Sequence, residues 1–434
     1  MNDKKLENNA LGKKSTLECL RLLSDGSGIG YMDGIATFVP GLLPGETGEV
    51  EVYEAKKKWQ RARLVKIIKP SPERIDAPCS VFEQCGGCQL QHTTYEETLL
   101  WKQRWVEDAL ARIGKISVQV KPIIGTPVPW RYRNKARLHR VPTGKLGYYK
   151  EKSKEIIHFS DCLLLSERMN RWVRLAEKFL TDGFEEIHTL TFRENTRGEG
   201  SILLEGPPTK ALSAEDNPEF FEALFKEGVR SVWGTDSEGN LALVWGEEGF
   251  SQTILDMTFD VSPLSFLQIN SLQTDVLYSH VLEMAALKGN EIVWDLYSGI
   301  GTLALALALK AQKVTGIEEN PYAVEDAIQN AVSNNAVGHV EFLMGKVESR
   351  MMKIDEQPDV VVLDPPRTGM DPIVVQRLLE LKPQRIIYVS CDPGTLARDL
   401  AVLNQGGYRV DSVQPVDMFP WTMHVECVVV LYVP

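Results

Sequence analysis

The sequence predicts an α/β protein with a doubly wound parallel sheet in its C-terminal part. From about residue 290 onward, short apolar runs alternate with helical patterns, a repeat typical of parallel strands covered on both faces. Upstream, residues 15–69 alternate apolar and polar positions between turn residues, which predicts a small β-barrel. The region from about 96 to 255 has a mixed α/β pattern. The apolar runs after residue 290 are EIVWDLY, KVTGIEE, HVEFLMG, DVVVLDPP, RIIYVSCDP, YRVDSVQPVDMF and CVVVLYV.

Composition excludes a disordered or fibrous chain and argues against a membrane protein. The 434 residues are 43% hydrophobic and 25% charged, an ordinary balance for globular domains. The most apolar run, Leu303–Leu309, ends at Lys310 and is far shorter than the ~20 residues that span a bilayer. The charged N-terminus has no signal-peptide pattern. We therefore expect a cytoplasmic protein whose seven cysteines are free thiols, metal ligands or catalysts.

Charge is distributed unevenly along the chain. The net charge is -11 overall, but residues 101–154 carry a net charge of +11 and residues 1–70 a net charge of +3. The segments KKKWQRAR and WRYRNKARLHR place aromatic residues among the basic ones, a mixture suited to stacking on bases while contacting phosphates. This pattern favours a local surface for nucleic acid on an acidic body. A solvated basic face is the alternative.

The first crossover of the predicted sheet is a glycine-rich turn, DLYSGIGT, that starts at Asp295. Its glycines allow a tight turn and close approach to a ligand at the start of a helix. Asp295 at the strand end favours an S-adenosylmethionine site, and Glu318, which ends the next strand, can hold ribose hydroxyls. A nicotinamide dinucleotide fits the same glycine spacing, and a turn without a ligand is the remaining alternative.

Two later strands end in groups with chemical potential. Asp364 opens a DPPR loop that can present a carboxylate to a planar base, although a plain turn explains it too. Cys391 ends the next strand ahead of a helix N-terminus, a position that can lower the pKa of a thiol. Glu426 precedes the final apolar strand of the same sheet. A thiolate and a carboxylate in one cleft can serve as nucleophile and general base.

A cysteine-rich stretch, CSVFEQCGGC, precedes the helical pattern YEETLLWKQRWVEDALARIG. Its spacing indicates a metal site, and Cys162 is the natural fourth ligand. Zinc and iron–sulfur clusters both accept four thiolates, so the spacing leaves the metal open.

These motifs, in this order, resemble the RNA (uracil-C5) methyltransferases. The motifs are DLYSGIGT, LDPPR, SCDPGTLARD and HVE. The N-terminal GSGIGYMDG and FVPGLLPGE resemble a TRAM domain, an OB-like RNA-binding β-barrel. The cysteines resemble those of the iron–sulfur branch of the family, whose members modify 23S ribosomal RNA.

The resemblance implies a Rossmann-like S-adenosylmethionine methyltransferase sheet, with Cys391 as nucleophile and Glu426 as base. It implies a [4Fe–4S] cluster on Cys79, Cys85, Cys88 and Cys162. Cofactor contacts carry over to Gln268, Tyr297, Thr302, Glu318 and Asp364. Many relatives place an acidic residue or Asn after the third strand. This chain has Gly345 and Lys346 there, so we assign no contact at that position.

The expected protein is a monomer that methylates uridine C5 in a single-stranded or loop region of 23S rRNA. Its expected parts are a flexible leader (1–14), the TRAM barrel (15–70), a central α+β domain with the iron–sulfur site (71–255) and the methyltransferase domain (256–434). One alternative is methylation of the tRNA T-loop. Another is a non-catalytic RNA-binding assembly factor, whose signature would be a broken site.

Overall fold

The structure is a computed structural model that describes residues 11–180, 184–206, 215–235 and 238–433. Within those ranges no helix is long and apolar enough to cross a bilayer. The first ten residues of the predicted leader lie outside the described residues, and Lys14 begins the first strand. The chain divides into two compact units. The first contains Met1–Phe82, Cys88–Trp105 and Trp421–His424, and the second contains Glu83–Gly87, Val106–Pro420 and Val425–Pro434.

The described residues of the first unit form a six-stranded sheet in the order β1-β5-β6-β4-β3-β2. Neighbouring strands are antiparallel except β4 and β6, which are parallel. The inward residues of the alternating pattern, such as Val50 and Val52, are buried in one core. The strands are β1 Lys14–Glu18, β2 Arg21–Leu22, β3 Ser27–Met32, β4 Ile35–Pro40, β5 Thr47–Ala55 and β6 Trp59–Lys69.

A buried ion pair ties this sheet to the segment that follows it. Glu46 is fully buried, and its carboxylate accepts hydrogen bonds from Arg74 Nε at 2.6 Å and Nη2 at 2.7 Å. The same carboxylate accepts from the backbone N–H of Leu43 and Ser71. A buried carboxylate is tolerated only when its lone pairs are satisfied in this way.

The predicted amphipathic helix is confirmed as α1, Tyr95–Ala109, and it continues into a π-helical turn, Leu110–Gly114. Within the first unit, Trp101 and Trp105 of α1 pack in one cluster with Leu22, Leu43 and Leu90. The Trp105 indole N–H donates to the carbonyl of Leu22 at 3.0 Å.

The second unit contains a seven-stranded mixed sheet in the order β13-β12-β11-β10-β7-β8-β9. Helices α2, Glu167–Leu180, and α3, Pro218–Lys226, accompany it. A hairpin of β14, Ser251–Ile254, and β15, Met257–Asp260, follows. The seven strands are β7 Lys135–Arg140, β8 Leu146–Tyr149, β9 Ile156–His158, β10 Thr189–Glu194, β11 Gly200–Glu205, β12 Val229–Thr235 and β13 Leu241–Gly246.

The predicted alternation of strands and helices after residue 290 is confirmed. It forms a second seven-stranded sheet in the order β18-β17-β16-β19-β20-β22-β21. Its strands are β16 Ile292–Leu296, β17 Lys313–Glu318, β18 Val340–Met344, β19 Val360–Leu363, β20 Arg385–Ser390, β21 Arg409–Val416 and β22 Glu426–Tyr432. The helices are α4 Ser271–Ala285, α5 Thr302–Ala308, α6 Pro321–Ser333, α7 Val347–Arg350, α8 Pro372–Leu381 and α9 Pro393–Gln405.

The predicted parallel sheet has an antiparallel edge. Strands β16 to β20 are parallel, but β22 runs antiparallel to both β20 and β21. The segment between β21 and β22 is too short to hold a crossover helix, so the chain reverses instead. The reversal pairs Ser390, the last residue of β20, with Cys427, so Glu426, the first residue of β22, lies one residue from this pair.

Helices cover both faces of this sheet, as a doubly wound fold requires. Successive strand residues belong to different cores: Val293 packs in one cluster and Trp294 in the other, and both are fully buried. Side chains of a strand alternate between faces, so a strand between two helical layers is apolar throughout.

Three crossover helices begin with the same local device. Each has an Asn or Asp at the N-cap and a Pro at the first helical position, which needs no N–H donor there. The caps accept backbone N–H groups at 2.8–3.0 Å: Asn320 from Tyr322, Asp371 from Ile373 and Asp392 from Thr395. The caps of α6 and α9 lie two residues after a strand end, and the cap of α8 follows the loop that leaves β19, so all three fix loops at the carboxyl edge.

Candidate active site

A cleft of about 950 Å³ opens at the carboxyl edge of the parallel strands. A smaller cavity adjoins it and shares several of its lining residues. Both lie within the second unit. The predicted cofactor and catalytic residues all line one or both of them: Gln268, Tyr297, Thr302, Glu318, Asp364, Cys391 and Glu426.

The glycine-rich turn forms the floor of this site between β16 and α5. Gly301 has a φ of +84°, and a Cβ there would lie 2.7 Å from Phe342. Gly299 has a φ of +54° and borders open space. Tyr297 adopts a φ of +66°, a conformation that costs a non-glycine residue roughly 1–3 kcal/mol and is concentrated at functional sites. The sequence pattern indicated the glycines but not the strained tyrosine.

Glu318 is held rigidly at the end of β17. Its Oε2 accepts the N–H of Gly299 at 3.0 Å, and its Oε1 accepts the N–H of Asn320 at 2.8 Å. Each oxygen keeps lone pairs for a further donor. The carboxylate is therefore oriented toward the cleft before any ligand arrives.

Two carboxyl groups, buried Asp295 at the glycine turn and half-buried Asp364 in the DPPR loop, line the smaller cavity. Burial and, after it, the charge of Asp364 raise the pKa of Asp295 to about 8. Burial also raises the pKa of Asp364. Asp295 is 1% exposed, and its Oδ2 has no hydrogen-bond partner among the described residues. Such a pair favours a cationic or hydrogen-bond-donating ligand between them.

Gln268 and Thr302 line the smaller cavity with Tyr278. The Tyr278 hydroxyl interacts with the side chains of both residues, and its distance to Thr302 Oγ1 is 3.5 Å. The backbone carbonyl of Gln268 accepts a hydrogen bond from Asn134 Nδ2 at 3.0 Å. Asn134 directly precedes β7. The mixed sheet that contains β7 therefore holds this side of the smaller cavity in place.

Cys391 and Glu426 both line the larger cleft, and the charge of Glu426 acts on the Cys391 thiol. Burial and then the charges of Glu426 and Asp364 raise the pKa of Cys391 to about 12. Burial and these charges therefore outweigh any lowering of this pKa by the helix N-terminus in the ligand-free protein. Burial also raises the pKa of Glu426, which is 3% exposed and whose Oε2 has no partner among the described residues.

Arg367 of the DPPR loop opposes these shifts, since its charge lowers the pKa of both Cys391 and Glu426. The loop is anchored to α9. Thr395 Oγ1 donates to the Arg367 carbonyl at 3.2 Å, and Arg398 Nη2 donates to the Thr368 carbonyl at 2.9 Å. Buried Asp399 accepts from the Met370 N–H and the Tyr388 hydroxyl. The loop therefore has a defined position over the cleft.

Sequence reasoning missed several lining residues. Lys346, at the position where no contact was assigned, lines the cleft, as do Phe266, Glu348 and Arg133. Lys346 follows the third strand, so its place at the carboxyl edge of the sheet was a signal that could have identified it. Phe266 and Arg133 lie outside that sheet, and the sequence pattern gave no comparable signal for them.

The four cysteines of the predicted cluster form no disulfide and are half-buried. Cys85 and Cys162 belong to the second unit, where the charge of Cys85 contributes to a raised pKa of Cys162 after the larger effect of burial. Cys79 and Cys88 belong to the first unit. Among the described residues, no three His, Cys, Asp or Glu side chains are placed to hold a metal ion. The structure does not assemble the cluster, which stays a prediction.

Comparison with known proteins places this geometry in context. The tRNA (uracil-5-)-methyltransferase family profile matches residues 253–433. An uncharacterized RNA methyltransferase of Halalkalibacterium halodurans is 41% identical, covering 94% of this chain and 95% of its own length. A second, from Listeria innocua, is 38% identical with coverages of 94% and 95%. The crystal structure of Pyrococcus abyssi tRNA (uracil-54, C5)-methyltransferase with S-adenosyl-L-homocysteine has a TM-score of 0.76 and 27% identity, covering 96% of this chain and 100% of that one.

The fold is that of a methyltransferase, as the match over nearly the whole chain shows. The fold predicted from the sequence is confirmed at this level. With 41% identity to an RNA methyltransferase along almost its full length, the chain belongs to the RNA uracil-5-methyltransferase family.

Proposed function

We propose that this protein transfers a methyl group from S-adenosylmethionine to C5 of a uridine in RNA. One observation carries the proposal. A buried carboxyl group, Glu426, and a thiol, Cys391, line the same cleft as the carboxyl groups suited to S-adenosylmethionine. The S-adenosyl-L-homocysteine in the Pyrococcus abyssi structure supports the choice of cofactor.

The residues present fit that cofactor. Glu318 offers two pre-oriented carboxylate oxygens for ribose hydroxyls, and the unpartnered Oδ2 of Asp295 can accept a donor from the ligand. Gln268 and Thr302 supply polar groups in the smaller cavity. When bound, S-adenosylmethionine supplies an electrophilic methyl group, which C5 of uracil accepts while the carbon–sulfur bond of the sulfonium breaks.

Cys391 makes C5 reactive. The thiolate adds to C6 of the uracil ring, so the electron pair of the C5–C6 double bond becomes available at C5. The raised pKa of Cys391 means that the ligand-free protein holds this group as a thiol at neutral pH. The charge of Arg367 already lowers that pKa, and a cationic ligand in the cleft acts in the same direction.

Glu426 completes the reaction as general base. After methylation C5 carries both the methyl group and its original hydrogen. Glu426 takes this hydrogen as a proton, the C5–C6 double bond re-forms, and the bond between Cys391 and C6 breaks. The raised pKa of Glu426 makes its ionised form a stronger base than an exposed carboxylate. Asp364 and the DPPR loop, which line the same cleft, orient the uracil ring in this proposal.

The proposed substrate is 23S rRNA, and the resemblance of the cysteines to the iron–sulfur branch supports it. The tRNA T-loop is the second candidate, supported by the uracil-54 tRNA specificity of the Pyrococcus abyssi enzyme. In either RNA the target base must leave its stack to reach a cleft of this kind, which favours a loop or single strand.

One experiment separates these possibilities. Labelled S-adenosylmethionine is supplied with 23S rRNA and with tRNA, both lacking 5-methyluridine, and the products are mapped by mass spectrometry. We expect 5-methyluridine at a defined 23S position in the wild type and none with Cys391→Ala. Label in tRNA alone would keep the chemistry and overturn the rRNA substrate. No label in either RNA, with cofactor bound, would leave a non-catalytic RNA-binding factor.

The proposal also covers a metal cluster, the cellular location, the oligomeric state and the domain bounds. We propose a [4Fe–4S] cluster on Cys79, Cys85, Cys88 and Cys162, supported by the spacing of these cysteines in the sequence, and no step of the reaction passes through it. We also propose a cytoplasmic monomer with a TRAM barrel at 15–70, a central domain at 71–255 and a methyltransferase domain at 256–434.

A further inference from the structure

Strand β7 carries basic side chains on one face. Residues Lys135, Arg137 and His139 alternate along the strand and therefore point to the same side of the sheet. The register confirms this, because they lie opposite Arg193, Thr191 and Thr189 of β10. The side chain of Arg137 is 59% exposed. This face belongs to the basic segment that the sequence analysis identified.

Positive charge on this face is only partly neutralised. The carboxylate of Glu205 accepts two hydrogen bonds from Arg137, at 3.0 and 2.9 Å. Lys135 remains among the guanidinium groups of Arg193, Arg137 and Arg133. Burial and these like charges lower the pKa of Lys135 to about 8. An anionic ligand relieves that repulsion, so the charge distribution is complementary to phosphate.

An aromatic ring lies at the far end of the same face. Tyr149 of β8 stacks on His139, with ring centroids 4.0 Å apart and planes 23° apart. Tyr149 is nevertheless 41% exposed, which leaves part of this residue accessible to a further stacking partner. Phosphate contacts beside an aromatic platform are typical of surfaces that bind single-stranded nucleic acid.

The near end of the face leads to the catalytic cleft. Arg133, whose charge acts on Lys135, is itself one of the residues that line the cleft. Its Nε donates to the Lys135 carbonyl at 3.1 Å, which fixes its side chain beside the start of β7. Arg193, opposite Lys135, donates to the carbonyl of Ser262 at 3.0 Å, in the segment that leads to Gln268.

We infer that Lys135, Arg137, His139 and Tyr149 form a track for the RNA strand that flanks the target uridine. Phosphates contact Lys135 and Arg137, and one base stacks on Tyr149. This inference rests on the proposed function, because it names positioning residues for the same RNA substrate. These residues hold the strand and take no part in the covalent steps.

The test measures binding of a labelled single-stranded oligouridylate of about a dozen nucleotides, long enough to cover one such site. The full-length variants Lys135→Gln, Tyr149→Ala and Tyr149→Phe are compared with Lys226→Gln. Lys226 is an exposed residue on α3 that pairs with Glu222 outside the track, so its variant removes one charge elsewhere. Thermal unfolding and S-adenosylhomocysteine binding show that each variant is folded with an intact cofactor site.

We expect Tyr149→Ala to raise the Kd about tenfold and Tyr149→Phe, which keeps the ring, to stay within about twofold of the wild type. Lys135→Gln weakens binding and reduces the slope of log K against log salt by about 0.7, the value for one phosphate contact with a single strand. Lys226→Gln binds as the wild type does. With RNA as substrate, Lys135→Gln and Tyr149→Ala raise KM and leave kcat unchanged, whereas Tyr149→Phe keeps the KM of the wild type.

Folded Lys135→Gln and Tyr149→Ala variants that bind like the wild type would overturn the inference, even if the wild type methylates RNA. Equally tight binding of a duplex of the same length would overturn the assignment of a single strand. If the wild type methylates no RNA but its binding depends on Lys135 and Tyr149, the track is supported and the proposed function fails. The two ideas therefore fail independently.

Discussion

The carboxyl group of Glu426 and the thiol of Cys391 line one cleft, where burial and then the charge of Glu426 raise the pKa of Cys391 to about 12. Each group makes ionisation of the other more costly. Positive charge that enters the cleft lowers the pKa of both groups. Activation of the thiol is therefore linked to occupancy of the site.

Removing the charge of Glu426 is expected to make Cys391 more reactive. In Glu426→Gln the pKa of Cys391 falls, and a fall of one unit raises the thiolate fraction about tenfold at any pH below the pKa. The rate of iodoacetamide alkylation of Cys391, followed by peptide mass spectrometry in alkaline buffer, measures this. Glu341→Gln, on the exposed side of β18, serves as control. A wild-type Cys391 that ionises like a free cysteine would contradict the expectation.

The same Glu426→Gln variant is expected to trap the reaction after methyl transfer. Without a base to remove the C5 proton, the bond between Cys391 and C6 cannot be released, so a covalent protein–RNA adduct accumulates. Denaturing electrophoresis with labelled RNA detects it. The double variant Cys391→Ala/Glu426→Gln should form none, and wild-type turnover by Glu426→Gln would refute the assigned role.

The carboxyl group of Asp295 is expected to lower the stability of the fold at alkaline pH and to strengthen ligand binding. Its pKa, raised to about 8, exceeds the unfolded value of about 4, so the folded state holds a proton that the unfolded state has lost between these pH values. Stability from this group therefore falls as pH rises through that window. Asp295→Asn should unfold at a higher temperature than the wild type at pH 8, show a smaller difference at pH 5, and bind S-adenosylhomocysteine more weakly. An unchanged unfolding temperature at both pH values would contradict this reading.

Glu318→Gln is expected to weaken S-adenosylhomocysteine binding about tenfold, which corresponds to the loss of one charged hydrogen bond. The substitution also weakens the acceptor of the Gly299 N–H, so the glycine turn loses an anchor. Isothermal titration calorimetry measures the change. Glu341→Gln again provides a carboxylate variant outside the cleft, and equal affinities for both variants would exclude the ribose role.

Iron content tests the cysteine set. Protein purified without oxygen should carry about four iron atoms and four labile sulfides per chain, as a [4Fe–4S] cluster requires. Cys85→Ser and Cys162→Ser should lose most of this iron. Cys391→Ala, which removes a thiol of the cleft, should retain it. Wild-type protein that contains no iron after such a purification would contradict the cluster.

The sequence alone determined which strands end at the candidate site. The repeat of apolar runs and helical patterns, with Asn-Pro or Asp-Pro at helix starts, is local information, because periodicity and capping act within a few residues. It placed Asp295, Glu318, Asp364 and Cys391 at strand ends, and parallel strands bring their carboxyl ends to one edge.

Only the tertiary structure decided the electrostatics of these groups and the residues that complete the cleft. The sequence suggested a lowered pKa for Cys391. Burial and the charges of Glu426 and Asp364, which are far from Cys391 along the chain, raise it instead. The antiparallel direction of β22 and the support of Gln268 by Asn134 likewise depend on segments far apart in the chain. Burial and Coulomb interactions are set by which atoms surround a group in space, and local sequence periodicity carries no information about that surrounding.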